Sequence, residues 1–174
     1  PMLVGSSVRR VAVLGGSTLM NVPLDRLRAD SAQQMIPPIR ALGSEYTALR
    51  YRSRNRNAEE SVPWRIVAVV DDTRLEFDPR PNDPNLPSTL SAGEVAEFNA
   101  PGPFVVRSQG ADHPFYVAGY MTGGEPFDGE GDPEFVNLVP PEQFLSRYTF
   151  FTDPTYPETN LVITRVKDPV TNEF

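Results

Sequence analysis

Proline recurs nineteen times in the 174 residues of this chain, about twice the usual share of roughly 5 %. It lacks a backbone N–H and clashes with the helical turn before it, so helix interiors and central strands exclude it. The stretches left between prolines are short, and they alternate apolar and polar residues with the period of a strand. Such patterns occupy residues 8–14 (ending at Gly15-Gly16), 46–52, 64–70, 73–77, 94–98, 104–107, 115–121, 148–151 and 161–166. Asp71-Asp72 leaves the two-residue gap of a tight hairpin between 64–70 and 73–77.

These strands and their Pro/Gly/Asn/Asp turns predict an all-β fold of antiparallel β-sandwich units in tandem, with one or two short helical turns. The helical turns are expected at Asp30-Ser31-Ala32-Gln33-Gln34-Met35 and at Pro141-Glu142-Gln143-Phe144-Leu145, the latter with proline at its first position. An internal echo sets the units. Met35-Ile36-Pro37-Pro38, Tyr46 and the strand at 66–70 return as Leu138-Val139-Pro140-Pro141, Tyr148 and 161–164, about 103 residues later at the double proline. A looser echo links 11–17 with 117–124. The expected division is therefore 1–28 as the last strands of one unit and 29–125 as a complete sandwich. Residues 126–135 form an acidic, glycine-rich linker, and 136–174 the first strands of a second unit. Either 1–28 pairs with 136–174, or neighbouring molecules supply the missing strands.

The formal net charge is −7, which repels phosphate backbones and anionic lipid and so argues against nucleic acid as a partner. No apolar run approaches the ~20 residues of a membrane span, so no membrane insertion is expected. The opening Pro1-Met2-Leu3-Val4-Gly5 has no signal-peptide pattern and reads as cut from something longer. Cysteine is absent, which removes thiol nucleophiles, thiolate metal sites and disulfides together.

Several residue groups could carry chemistry. Asp128, Glu130 and Asp132 alternate with glycines, a spacing that can wrap calcium, although a solvated acidic loop is the plainer explanation. Arg50, Arg52, Arg54 and Arg56 would line one face of a continuing strand and could grip an anionic glycan. Alternatively they mark a charged strand edge, partly neutralised by Glu59 and Glu60. Val11-Ala12-Val13-Leu14-Gly15-Gly16-Ser17 resembles the start of a phosphate loop, but Pro23 stands where the helix should run. His113 is the one histidine. With Ser108 and Asp112 nearby it is the only possible centre of a triad, yet it lies in a turn without a nucleophile elbow. The carboxylate pairs Glu59-Glu60 and Asp71-Asp72 are adjacent and so point apart on a strand, which rules out a glycosidase pair. Phe104, Phe115, Tyr116, Tyr120, Tyr148, Phe150 and Phe151 read as core before sugar platforms. No catalytic set and no cofactor site emerge.

The string at 30–38 followed by Trp64-Arg65-Ile66-Val67-Ala68 resembles the IgGFc-binding protein N-terminal domain family. So does Gly131-Asp132-Pro133-Glu134-Phe135 running into Pro140-Pro141-Glu142-Gln143-Phe144. The likeness spans about Val8 to Val166 and is similar to bacterial, myxobacterial surface or secreted members. It implies a tandem, extracellular or cell-surface β-rich module with no catalytic residues; immunoglobulin binding belongs to the animal members and is not carried over. Relatives often carry a cysteine pair near the positions of Leu19 and Ala29, and here that disulfide is impossible. The resulting expectation is a non-enzymatic module for adhesion, or for protein or glycan binding, with self-association through edge strands as a further possibility. The alternatives are an accessory or catalytic domain of a carbohydrate-active enzyme, which predicts a polar cleft with perturbed ionisable groups, and a self-assembling matrix subunit.

Overall fold

The computed structural model describes residues 5, 10–23, 29–155, 158–167 and 170. In chain order the strands are β1 (Val13–Met20), β2 (Asp30–Ile36), β3 (Glu45–Ala48), β4 (Val62–Ala68), β5 (Thr73–Arg74) and β6 (Glu76–Asp78). They continue as β7 (Thr89–Leu90), β8 (Val95–Ala100), β9 (Phe104–Arg107), β10 (Phe115–Met121) and β11 (Glu134–Asn137). Helical structure among the described residues is confined to three 3-10 turns.

Two antiparallel sheets form a sandwich. One runs β11-β10-β4-β8 and the other β3-β9-β6. Alternation sends one face of each strand inward: Val62, Trp64, Ile66 and Ala68 of β4 are buried while Pro63, Arg65 and Val67 between them are less so. The sheets meet through aromatic edges, which is how ring quadrupoles prefer to pack. Tyr46 meets Phe115 at 5.0 Å between centroids, Trp64 meets Phe104 at 5.2 Å and Phe77 meets Phe98 at 5.6 Å. Polar atoms in this core are satisfied: Trp64 Nε1 donates to the carbonyl of Ala100 at 3.0 Å. The Tyr46 hydroxyl donates to the carbonyl of Phe115 at 2.7 Å and accepts from the N–H of Gly43 at 2.9 Å. Burial pushes that phenol up to about 12.

The β1–β2 hairpin lies on the outer side of this sandwich. Ala32 of β2 is buried with Ala118, Tyr120 and Phe135, and Asn137 Nδ2 donates to the carbonyl of Met35 at 2.7 Å. Arg65 covers the Tyr120 ring at 5.0 Å.

Two stretches of the chain share one local geometry. Pro38 (φ −67°, ψ 151°) caps the 3-10 turn Ile39–Ala41, and Pro140 (φ −70°, ψ 152°) caps the turn Pro141–Gln143. Just beyond each turn, the N–H of Gly43 and of Leu145 donates at 2.9 Å to the hydroxyl of Tyr46 and of Tyr148 respectively. A hairpin precedes each turn, β1–β2 before the first and β10–β11 before the second. Their registers match: Gly15 faces Gln34, Gly119 faces Val136, and both partners stand the same distance ahead of the capping proline.

The sequence reading of an all-β sandwich with short helical turns holds, and the turn led by Pro141 forms where the proline places it. Several local readings do not hold. Residues 30–35 form a strand, not a helical turn, because β1 offers them an antiparallel ladder from Val13↔Ile36 to Ser17↔Ala32. Gly15-Gly16 lies inside β1 and does not end it; a Cβ at Gly16 would stand 2.0 Å from the Ala32 carbonyl oxygen, so the close approach needs glycine. Residues 8 and 9 of that pattern lie outside the described residues. Leu19 and Ala29 adjoin the last pair of the ladder, Met20 opposite Asp30.

The turn at Asp71-Asp72 exists, with Asp72 at φ 56°, but it does not make a hairpin onto β4. Both edges of β4 are already taken by β8 and β10. The chain is sent instead to β7 through β5, and to β9 through β6. Thr73 Oγ1 fixes the turn by donating to the carbonyl of Val70 at 2.7 Å. Residues 148–151 and 161–166 form no strand.

A Cβ at Gly119 would stand 2.8 Å from Trp64 Cζ3. Gly119→Ala is expected to cost about 1–3 kcal/mol by overpacking, measured by urea unfolding followed through Trp64 emission. Tyr46→Phe should cost about 1–3 kcal/mol because it orphans a buried N–H and a buried carbonyl, and Tyr148→Phe far less.

Candidate functional site

The alternating arginines do not share a face, because β3 ends at Ala48 and the chain from 49 to 61 is irregular. Arg50 pairs with Glu59 and Arg52 with Glu158, while Arg56 is exposed. Arg54 turns inward. Its side chain is 8 % exposed and that of its partner Glu60 is 3 % exposed. The two neutralising glutamates expected from sequence are thus both engaged.

Arg54 organises the acidic loop that follows β10. Nη1 donates to the carbonyls of Thr122 (2.8 Å) and Glu130 (3.0 Å), and Nη2 donates to Thr122 Oγ1 (2.9 Å) and to the Tyr51 hydroxyl (3.1 Å). Nε and Nη2 also face the Glu60 carboxylate, which accepts the Tyr51 hydroxyl as well. The Phe127 ring lies 4.1 Å from the guanidinium carbon, a cation–π seat. Within the loop the carbonyl of Gly124 accepts from Phe127 and Gly129, both at 2.9 Å. Asp128, Glu130 and Asp132 are left exposed. Among the described residues no three carboxylate or histidine side chains gather as a metal would require. The loop carbonyls of Thr122 and Glu130 bond a guanidinium supplied by the chain itself.

Burial pushes the Glu60 carboxyl up, but the hydrogen bonds from Arg54 and Tyr51 outweigh it and hold the group below its ordinary 4.5. Burial and the bond to Glu60 raise the Tyr51 phenol. This is the perturbed cluster that an active site would also show, but each of its donors is spent on holding backbone and partner.

His113 lies in a turn, as its neighbours predict. Its Nδ1 stands 3.1 Å from the exposed Asp112 carboxylate, and that contact draws the carboxyl below its ordinary value. Ser108 Oγ donates at 2.7 Å to the backbone carbonyl of His113, not to the ring, so the three residues adjoin without forming a relay. Gly15 and Gly16 sit in a ladder and offer no phosphate cradle. Asp71 is used in the turn, accepting from the N–H of Ala92 at 2.8 Å.

The feature not anticipated from sequence is an apolar cleft of about 360 Å³ between β3 and β11, the end strands of the two sheets. Leu49, Tyr51, Met121, Val136, Leu138 and Phe144 line it, and Val162 and Thr164 lie across it. Around it the surface is apolar: Val136, Val139 and Val162 of its lining are exposed, as are Leu145 and Val166 of the hollow that shares Phe144 and Thr164 with it. Val162 and Thr164 belong to the alternation at 161–166, which by its sequence reads as a packed strand.

Breaking the Arg54–Glu60 pair leaves an unpaired buried charge. Arg54→Met is expected to cost about 3–5 kcal/mol and to speed amide exchange in residues 122–131. Because the folded carboxyl titrates below its unfolded value, Glu60 contributes stability that is complete above the unfolded pKa and is lost as pH falls through the folded one. Denaturation profiles should therefore show an acid-limb loss that is smaller in Glu60→Gln.

No helix among the described residues is long and apolar enough to cross a membrane. No curated protein and no solved structure matches the chain. A family model described as IgGFc binding protein matches residues 2–173, nearly the whole length. This sandwich, with its arginine-clasped loop and its apolar cleft, therefore belongs to the IgGFc binding protein family.

Proposed function

We propose that the chain is an extracellular, non-enzymatic module of adhesion that recognises protein through the apolar surface around the β3–β11 cleft. The observation that carries this reading is the run of large exposed apolar side chains lining the cleft and the hollow beside it, Val136, Val139, Leu145, Tyr148 and Val162. Monomer surfaces rarely gather such patches except where they bind. Tyr148, an exposed aromatic beside this cleft, suits a protein partner, since aromatic residues are enriched at protein interfaces. Membership in a family named for binding a protein supports the same direction.

The module is also read as part of a tandem array. Support comes from the two capped proline turns, the two N–H to tyrosine hydroxyl bonds, and the two hairpins of equal register. On this reading 1–28 closes one unit, 29–125 is the body of the next, 126–135 links, and 136–174 opens a third.

The test is capture from the native cell surface, run beside a glycan array. Wild type is expected to retain protein and no glycan. Val139→Ser, Leu145→Ser and Val162→Ser together should weaken capture at least tenfold, about 1.4 kcal/mol or more, while leaving Trp64 emission unchanged. Capture that survives the triple variant, or binding confined to glycans, would overturn the reading.

A further inference from the structure

Arg50 and Arg54 are equally buried, each with a side chain 8 % exposed, yet they are not equally satisfied. Every nitrogen of the Arg54 guanidinium has an acceptor, and its carboxylate partner Glu60 is 3 % exposed. Arg50 spends Nη1 on the carbonyl of Tyr51 at 2.5 Å and Nη2 on Glu59, whose side chain is 74 % exposed. Its Nε is buried and has no acceptor among the described residues. A buried donor without a partner is costly, and native structures seldom leave one without a reason.

The two arginines also differ in what they border. Arg50, unlike Arg54, is part of the wall of the β3–β11 cleft. Arg50 and Glu134 are the charged residues of that lining, Arg50 just beyond the end of β3 and Glu134 at the start of β11. Glu134 Oε1 accepts the N–H of Phe135 at 2.8 Å. Most of the remaining wall is apolar, and apolar surroundings strengthen a pair of opposite charges.

Nε and Nη2 form one edge of a guanidinium, the fork that takes both oxygens of a carboxylate. Glu59 engages the Nη2 side of that fork and leaves Nε bare. We infer that this edge of Arg50 receives a carboxylate of the partner, and that Glu59 gives up Nη2 to it. The partner then presents an acidic side chain to the Arg50 wall and large apolar side chains to the cleft. A protein segment fits better than a lone amphiphile, because the cleft shares Phe144 and Thr164 with the hollow beside it. The exposed surface continues there through Leu145 and Tyr148. On the reading that the cleft binds protein, on which this rests, Arg50 supplies the charge that is selected.

Fluorescence polarisation tests this with two labelled short peptides of leucine and phenylalanine, alike except for one central residue, glutamate or glutamine. Wild type is expected to bind the glutamate peptide about tenfold or more tightly than the other. Glu59→Gln, at an exposed position, should tighten the glutamate peptide about twofold to fivefold, the worth of an exposed ion pair, and leave the glutamine peptide unchanged. Arg50→Met should abolish the preference, with folding checked by urea unfolding. If that variant does not fold, Glu59→Gln decides alone. Equal binding of the two peptides overturns the inference, as does no binding of either, a preference that survives Arg50→Met, or an unchanged affinity in Glu59→Gln. Decanoate held in an Arg50-dependent way in place of both peptides would make the occupant a free amphiphile and overturn it too. Capture from the cell surface that persists while the glutamate preference is absent removes the carboxylate and keeps the protein-binding reading.

Discussion

Each strand of this chain forms beside a neighbour that takes up its backbone polar groups, and β4 is the strand on which most others depend. It is paired along both edges, by β8 and β10, and carries Trp64 into the space between the sheets. A backbone N–H or carbonyl without a partner in a dry interior is costly. The paired edges of β4 therefore decide where the following residues can go. The turn at Asp71-Asp72 is chemically suited to a hairpin, and the hairpin is refused because its place is occupied.

That constraint marks how far the fold was legible. Phe104–Arg107 and Phe115–Met121 were found to the residue, since each combines period two, aromatic content and flanking turn residues. Residues 30–35 carry a local helical signal, a possible cap and two glutamines, whereas the deciding influence is a ladder to β1. Pairing partners lie outside any local window, so no short stretch of sequence specifies register or sheet order.

The site was legible in its parts and not in its assembly. The alternating arginines, the glutamates at 59 and 60, and the acidic loop were each noticed as separate features. Their union depends on β3 stopping at Ala48, after which the chain turns Arg54 inward and leaves Arg56 in solvent. Sequence spacing points to the carboxylates of Asp128, Glu130 and Asp132 as ligands of a cation, yet all three stay exposed. The oxygens that do face a positive charge are the backbone carbonyls of Thr122 and Glu130, and the charge is the Arg54 side chain, far away in the chain.

A guanidinium fixed to the polypeptide differs from a bound ion in one practical respect. It has no dissociation equilibrium with the surroundings, so neither dilution nor a chelator can strip it from Thr122 and Glu130. The bend after β10 therefore keeps its shape whatever the mineral content of the medium, and the chain is returned to β11, beside β10, by a charge that it carries itself.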